Sequence, residues 1–205
     1  MTKLIPANDP HSLVLAAKLL RQGEVVTMPT DTVYGVGALA FNAEAVAKIY
    51  AVKERPADKA IPVFVASVDA LGRVCSDVSP DILPLLEQCW PGALTVILPA
   101  SPALPGIVTN YSATVAVRIP NHPVALNLLA LLKEPLAVTS ANLSGQPPPS
   151  TPAEIKTQLE GRVPLILDDG PRPGGIPSTI LDLTQSPPKI LRQGAVQIAS
   201  RWLKA

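Results

Sequence analysis

The sequence predicts a single α/β domain over residues 1–205, with a twisted, mixed β-sheet flanked by helices. Short apolar segments typical of strands occur along the whole chain, and amphipathic segments with helical spacing lie between them. The two kinds of segment do not alternate strictly, which favours a mixed sheet over a purely parallel one. Hydrophobic residues make up 47% of the chain and charged residues 16%, so we expect a globular core rather than overall disorder.

Capping residues and apolar faces mark the predicted helices. Asp9 and Pro10 are typical of an N-cap and a first helical residue, and Gly23 is typical of a helix end. Asn42 can cap a second helix that runs through Val52. The other predicted helices cover residues 79–89, 124–132, 151–159 and 195–203.

The predicted strands are short and apolar. They cover residues 25–28, 61–66, 94–98, 114–119, 136–139, 165–167, 179–183 and 190–192. Polar residues follow several of these segments directly. Because open α/β sheets bind ligands at the carboxyl ends of their strands, we expect a functional site there.

The most informative of these strand ends is the turn at residues 29–37, Pro-Thr-Asp-Thr-Val-Tyr-Gly-Val-Gly. Its hydroxyl side chains and free backbone N–H groups suit a small polar or anionic ligand. Residues 140–145 place two hydroxyls and an amide after another strand, although a simple turn with an Asx hydrogen bond explains them equally well. Ser178 precedes a strand after a glycine-containing loop.

Cations are scarce, so their clustering is informative. Lys53 and Arg55 lie where the second helix ends, and Lys59 follows. They can complement the helix dipole, or they can form a cationic clamp for phosphates, and the spacing alone does not decide between the two. Arg118 and Arg192 each end an apolar strand, a position where a lone arginine is usually just solvated.

Composition narrows the classes of protein. The net charge of +1 gives no global field for nucleic acid. Cys75 and Cys89 show neither disulfide nor zinc spacing, and we interpret them as buried core thiols. No apolar run approaches the ~18 residues of a membrane span, and the N-terminus lacks a signal-peptide pattern. We therefore expect a cytoplasmic protein with no membrane association.

Several catalytic patterns are missing from the sequence. His11 and His122 belong to no metal or triad motif, and we predict no metal ligands. There is no Ser/His/Asp or Cys/His nucleophile pattern, no Walker motif and no dinucleotide fingerprint. An enzyme with this sequence would work mainly by binding, positioning and charge neutralisation.

Taken together, the polar segments resemble the YrdC/TsaC family, the threonylcarbamoyl-AMP synthases. They occur in the family's order over nearly the whole chain, and although each alone is weak, the ordered set is highly specific. The matching segments are residues 29–37, Lys53-x-Arg55-Pro56, Trp90-Pro91-Gly92, residues 114–120, residues 139–145, Pro177-Ser178-Thr179 and Ile190-Leu191-Arg192-x-Gly194. The chain resembles the short form, without the extra C-terminal domain of longer relatives.

The resemblance implies a reaction in which L-threonine, bicarbonate or carbon dioxide, and ATP give threonylcarbamoyl-AMP and pyrophosphate. Other proteins then transfer the threonylcarbamoyl group to an adenosine in tRNA. The carbamate of threonine is already an anionic nucleophile, so attack on the α-phosphorus requires no protein nucleophile. It requires cations around the phosphates, and Mg²⁺ on the departing pyrophosphate.

The resemblance also implies roles for particular residues. Threonine would be held by Thr32, Arg118 and Ser178, with Arg118 on its carboxylate. ATP would be surrounded by Lys53, Arg55, Lys59, Thr114, Ser140, Asn142 and Arg192, of which Lys53 and Arg55 are the catalytic candidates. Some longer relatives carry a histidine where this chain has Phe64, and Tyr34 is expected to support the turn. The loops at residues 146–152 and 171–177 are the candidates for a cover over the site.

Two other functions are compatible with the sequence. A cationic concave face could make the chain an RNA-binding module, although its near-neutral charge and 3% aromatic content argue against a dedicated one. Weak contact with tRNA stays open. The chain could also be a family paralogue that uses another acceptor, or a carbamoyl-transfer domain of a larger enzyme.

Overall fold

The structure, a computed structural model, describes residues 1–172 and 175–204. Its ten described strands are β1 Lys3–Pro6, β2 Val26–Met28, β3 Gly35–Leu39, β4 Val63–Phe64, β5 Leu94–Pro99, β6 Thr114–Arg118, β7 Leu136–Ser140, β8 Leu165–Asp168, β9 Thr179–Asp182 and β10 Lys189–Arg192. The α-helices are α1 Ser12–Arg21, α2 Ala43–Lys53, α3 Leu71–Val74, α4 Leu83–Cys89, α5 Gly106–Thr109, α6 Pro123–Leu132 and α7 Pro152–Leu159. Short 3₁₀ turns lie at Val68–Ala70, Pro80–Ile82 and Ser200–Leu203.

All ten described strands join one mixed sheet, as predicted, in the order β1-β8-β2-β3-β7-β4-β6-β5-β9-β10. Parallel pairs occur on both sides of the sheet, between β1 and β8, β8 and β2, and β5 and β9. Strands β2, β3, β7 and β4 form an antiparallel run in the middle. The central strand β4 has only two residues, so the sheet is narrow there.

The sheet has a core on each face because side chains alternate along its strands. On β8, Leu165 and Leu167 pack in the cluster that includes α1 and α6, whereas Ile166 belongs to the cluster that includes α2 and α7. Among the described helices, none combines the length and apolar character needed to cross a bilayer.

Caps fix the helices next to the site. The side chain of Asn42 accepts a hydrogen bond from the Ala45 N–H at 3.0 Å, so α2 begins where the sequence predicts. It ends at Glu54, whose φ of 51° lies in the left-handed region. On α7 the Thr151 hydroxyl accepts from the Glu154 N–H at 3.2 Å, as predicted, but the Glu154 carboxylate accepts from Ser150 rather than from the cap itself.

The prediction of the first helix start was wrong. Asp9 does not cap α1, since its carboxylate accepts from the N–H of His11 and the helix begins at Ser12. The predicted turn at residues 29–37 is shorter than expected because β3 begins at Gly35. A Cβ at Gly35 would come within 2.6 Å of Val138 on β7, so glycine here permits close strand pairing. Strand β1 was not predicted.

The prediction of a helix at residues 195–203 was also wrong, because only the 3₁₀ turn Ser200–Leu203 forms there. The backbone of the preceding segment is bonded elsewhere. The Ala195 N–H donates to the Pro177 carbonyl at 3.1 Å, and the Val196 carbonyl accepts from the Thr179 hydroxyl at 2.6 Å. The chain beside β9 therefore replaces the intrahelical partners that a helix would need.

Candidate active site

A cavity of about 360 Å³ opens beside the short central strand β4. Several of its polar residues end a strand, as expected for an open α/β sheet: Arg118 ends β6, Ser140 ends β7 and Arg192 ends β10. Thr32 comes from the turn after β2. The full lining is Thr30, Thr32, Val33, Pro62, Phe64, Thr95, Arg118, Val138, Thr139, Ser140, Pro148, Gly175, Pro177, Ser178 and Arg192.

Arg118 is the most constrained cation of the cavity. It is 4% exposed, so the expectation of a solvated strand-end arginine was wrong. Its Nε donates to the Gly92 carbonyl at 2.9 Å, one terminal nitrogen to the Thr32 hydroxyl at 3.0 Å, and the other to the Asp31 carboxylate at 2.7 Å. A guanidinium has five N–H donors, so among the described residues two are left without a partner and can bind a ligand.

This guanidinium is buried beside a carboxylate. Burial lowers the pKa of Arg118, and the adjacent Asp31 carboxylate opposes that shift. The Asp31 side chain is 16% exposed and also accepts from the Asn121 N–H at 3.1 Å. The guanidinium carbon lies 5.8 Å from the centre of the Phe64 ring, within the range of a cation–π contact. A fixed, charged fork is well suited to a carboxylate.

Ser178 and Arg192 form the opposite part of the wall. Arg192 donates to the Ser178 carbonyl from Nε at 3.0 Å and from a terminal nitrogen at 2.9 Å, and that nitrogen also lies 3.2 Å from the Ser178 hydroxyl. Burial lowers the pKa of Arg192. The Ser178 hydroxyl is 2.8 Å from that of Thr95. We call Thr32, Arg118, Ser178 and Arg192 the cavity wall.

Lys53 does not line the cavity but lies behind it. It is 1% exposed, and its ammonium donates to the main-chain carbonyls of Ser140 and Asn142. Burial lowers the pKa of Lys53 to about 7, with a smaller contribution from the Arg55 charge. Lys53 thus ties the end of α2 to the segment that follows β7, where three of the predicted ATP residues meet.

The rest of the predicted clamp is separate from the cavity. Arg55 donates from Nε to the Lys59 carbonyl at 3.1 Å and from a terminal nitrogen to the Ala60 carbonyl at 2.8 Å. The Lys59 side chain is exposed. Thr114 lies at the start of β6, with its hydroxyl 3.0 Å from that of Ser112. We call residues 53–59 the clamp segment.

The two predicted cover loops reach the cavity through Pro148, Gly175 and Pro177, while Pro173 and Gly174 lie outside the described residues. The Arg172 N–H donates to the Ser150 carbonyl at 2.7 Å and joins the two loops.

Tyr34 is fully buried. Its hydroxyl donates to the Gly170 carbonyl at 2.8 Å and accepts from the Asp169 N–H at 3.0 Å. Tyr34 therefore supports the loop after β8 as well as its own turn. The ring of His122 caps α6 by accepting from the Val124 N–H at 3.3 Å. Its other nitrogen lies 3.2 Å from the Asp169 carboxylate.

Sequence reasoning missed three polar residues at the cavity. They are Thr30 and Thr95, which line the cavity, and Asp31, which pairs with Arg118. Thr30 lies in the predicted turn, where its polarity was a signal. Thr95 lies second in a predicted apolar strand, and a buried hydroxyl among aliphatic residues was the available signal.

Other chemistry has little support. In residues 1–172 and 175–204 no three histidine, cysteine or acidic side chains cluster to hold a metal ion. Burial raises the pKa of the Cys75 thiol to about 12, which makes it a poor nucleophile, and Cys89 is only partly buried.

Comparison with known proteins identifies relatives of nearly the whole chain. The Sua5/YciO/YrdC family model, described as "Telomere recombination", matches residues 18–194. A threonylcarbamoyl-AMP synthase of Bacillus subtilis is 43% identical over 96% of this chain, and a putative one of Mycobacterium tuberculosis is 38% identical over 96%. The crystal structure of Pyrococcus abyssi Sua5 complexed with L-threonine is 37% identical and superposes with a TM-score of 0.91 over 94% of this chain.

The relatives differ in length. The chain spans 57% of the Bacillus protein and 58% of the Pyrococcus chain, so it corresponds to little more than half of each. It spans 92% of the Mycobacterium protein.

Proposed function

Since the chain belongs to the Sua5/YciO/YrdC family, we propose that it is a threonylcarbamoyl-AMP synthase, which joins L-threonine, bicarbonate or carbon dioxide, and ATP. The observation that carries this proposal is the state of Arg118. A buried guanidinium, two of whose N–H groups have no hydrogen-bond partner within residues 1–172 and 175–204, lines a cavity of about 360 Å³ beside the hydroxyls of Thr32 and Ser178. That arrangement suits a small ligand with one carboxylate and further polar groups.

Threonine takes the cavity in this proposal. Its carboxylate receives the two remaining N–H groups of Arg118, and Thr32 and Ser178 contact its other polar atoms. The rings and methyl groups of Val33, Phe64 and Val138 supply an apolar surface for its methyl group. The Pyrococcus relative, which is named as an L-threonine complex, supports the choice of amino acid.

ATP lies next to the cavity, towards Ser140, Asn142 and Arg192. The carbamate formed from the threonine amine and carbon dioxide attacks the α-phosphorus, and pyrophosphate leaves. This chain contributes position and positive charge rather than a nucleophile. Arg192 is already at the cavity, whereas Arg55 lies outside it, with two of its five N–H groups bonded to the Lys59 and Ala60 carbonyls.

The described residues hold no ready cluster of metal ligands, so they do not fit a protein-held Mg²⁺. Magnesium is therefore expected to be bound by the phosphates of ATP, as is common for this ion. The product would pass to proteins that modify tRNA, which places the work of this chain in the cytoplasm.

A pyrophosphate-release assay tests the proposal. Pyrophosphate should form only when L-threonine, bicarbonate and ATP are all present, and mass spectrometry should detect threonylcarbamoyl-AMP. Release that is unchanged without any amino acid would contradict the proposal. A panel of amino acids in the same assay separates the threonine enzyme from a paralogue, for which another amino acid would give the fastest release.

A further inference from the structure

Neighbouring groups already use part of the hydrogen-bonding capacity of the cavity-wall hydroxyls. This limits whether each hydroxyl can still donate to a ligand or accept from one. A hydroxyl has one hydrogen to donate and two lone pairs to accept with. Counting these at two pairs of residues, Thr30 with Thr32 and Thr95 with Ser178, shows what each pair can offer a ligand.

On the first pair, the hydrogen of the Thr30 hydroxyl is committed. Its oxygen lies 2.6 Å from the Val33 carbonyl, which can only accept. The contact of 3.1 Å between the two hydroxyls therefore requires Thr32 to donate to Thr30. Arg118 donates to the Thr32 oxygen at 3.0 Å. Thr32 is left with one lone pair and no hydrogen, so it can only accept from a ligand.

On the second pair, the two hydroxyls lie 2.8 Å apart and share one hydrogen bond. One of their two hydrogens is used in it, whichever residue donates. A terminal nitrogen of Arg192 lies 3.2 Å from the Ser178 oxygen and occupies a lone pair. Within residues 1–172 and 175–204 neither hydroxyl has a further hydrogen-bond acceptor.

The second pair therefore has a hydroxyl hydrogen to give. Thr95 is 2% exposed and Ser178 6% exposed, and both line the cavity. A buried hydroxyl hydrogen without an acceptor is unfavourable, so the pair favours a ligand that accepts at this point. The two pairs therefore differ, because the second pair can donate and still has lone pairs to accept with, whereas the first pair can only accept.

We propose that Thr30 and Thr95 are positioning residues that make Thr32 an acceptor for the amine of the substrate, and Ser178 with Thr95 a donor to one of its oxygens. An α-amino acid carries both donors and acceptors, and because Thr32 can only accept, the amine rather than the carboxylate lies beside it. The amine, from which the carbamate forms, lies at Thr32 and keeps one N–H to donate after the carbamate has formed. The inference rests on the proposed function, since it concerns the binding of threonine.

Calorimetric titration with L-threonine tests Thr95 through two variants of similar size. Thr95→Val removes the hydroxyl and keeps the shape, and we expect the Kd to rise about fivefold, as for one hydrogen bond. Thr95→Ser keeps the hydroxyl and should stay within about twofold of the original protein. Equal weakening in both variants would indicate a packing effect and overturn the proposal, as would unchanged binding in Thr95→Val.

The same titration tests Thr30 with a second probe, (R)-3-hydroxybutanoate, which is threonine without its amine. Thr30→Val should raise the Kd for L-threonine about fivefold and leave that for the probe within about twofold. Thr95→Val should weaken both ligands. Equal weakening of both ligands by Thr30→Val would show that Thr32 does not read the amine.

A double-variant cycle with Ser178→Ala checks that Thr95 acts through its partner. The effect of Thr95→Val should shrink to less than about twofold when Ser178 has lost its hydroxyl. If the original protein binds no L-threonine at all, the proposed function fails. If it binds L-threonine and the variants behave alike, only the polarity inference fails.

Discussion

The cations of the cavity wall and those of the clamp segment differ in what they are bonded to. Arg118 and Arg192 both line the cavity, and each donates to a hydroxyl there as well as to a main-chain carbonyl. Lys53 and Arg55 donate to main-chain carbonyls of their own surroundings and do not line it. The wall cations are therefore already placed at the cavity, whereas the clamp segment can meet a ligand only outside it.

The two proposed substrates therefore need not be bound by the same means. An amino acid that enters the wall meets donors and acceptors already in place. A nucleotide that approaches the clamp segment meets a guanidinium that keeps N–H groups for phosphate oxygens, since the Lys59 and Ala60 carbonyls take only two of the five donors of Arg55. Variants in the two regions should consequently have separable effects on the KM values for threonine and ATP.

The largest effect is expected at Arg118. Arg118→Met removes the proposed carboxylate ligand and leaves Asp31 without its ion-pair partner, which lies at 2.7 Å. Loss of a buried charge-assisted contact costs about 2–5 kcal/mol, so kcat/KM for L-threonine should fall by at least about thirtyfold. The measurement is steady-state pyrophosphate release with varied threonine.

Two further variants help to interpret the loss of activity: one tests the shape of the guanidinium, and the other is a surface control. Arg118→Lys keeps the charge but loses the planar fork, and we expect it to remain at least about tenfold impaired. Arg73→Met removes an exposed arginine paired with Glu134 and should leave the rate unchanged, since both side chains are more than 40% exposed. A fully active Arg118→Lys enzyme would show that charge alone suffices at this position.

The next prediction concerns buried Lys53, which should make the free energy of unfolding depend on pH. The pKa of Lys53 is about 7 in the folded chain, against 10.5 for an ordinary lysine. Between these values the unfolded chain binds a proton that the folded chain does not. The free energy of unfolding should therefore rise with pH above 7, by at most about 1.4 kcal/mol per pH unit, whereas below 7 both states are protonated and this gain is absent.

Chemical denaturation of Lys53→Met from pH 7 to 9 tests this account. The variant should lose the pH-dependent increase, while Lys48→Met, in which an exposed lysine paired with Glu24 is removed, should keep it. Identical slopes in the original protein and Lys53→Met would rule out a buried amine with a lowered pKa. ATP bound next to Lys53 should favour its charged form, so binding at pH 8 should take up protons, which calorimetry in buffers of different ionisation enthalpy can measure.

A variant of Arg55 tests whether the clamp segment affects ATP binding more than threonine binding. Arg55→Ala should raise the KM for ATP about fivefold, because the guanidinium can bond phosphate oxygens with N–H groups that its bonds to the Lys59 and Ala60 carbonyls do not use. The KM for threonine should change by less than about twofold. The matched control is Arg162→Ala, since Arg162 pairs with the neighbouring Glu54 at 2.7 Å on the surface. A larger effect on threonine than on ATP would contradict the division between wall and clamp.

Sequence patterns could predict the sheet and much of the site, for physical reasons. Apolar strand segments and capping residues such as Asn42 and Thr151 act locally, so they can be recognised from sequence. The missed strand β3 begins at Gly35, where glycine is typical of a turn but here allows close approach to Val138 across the sheet. That close approach is a tertiary contact, so the strand propensity of the local sequence does not predict it.

The wall residues were predicted by their resemblance to a family and not by spacing, since Thr32, Arg118 and Ser178 lie far apart in the chain. Thr95 could not be found in this way. Its importance depends on a partner 83 positions away, the Ser178 hydroxyl. Likewise, the tail beyond residue 194 has helical periodicity, but the backbone around Pro177 takes up its hydrogen bonds. Long-range hydrogen bonds, which sequence periodicity does not encode, account for both outcomes.

The smallest effect distinguishes the side chain of Lys59 from its backbone. The Lys59 carbonyl accepts from the Tyr50 hydroxyl at 2.9 Å and from Arg55 at 3.1 Å, while its ammonium is exposed. Tyr50→Phe should loosen the clamp segment and raise the KM for ATP about threefold, whereas Lys59→Ala should change it by less than about twofold. A greater effect of Lys59→Ala would show that its ammonium contacts ATP directly. The clamp segment would then, like the cavity wall, present a cation that is ready for its ligand.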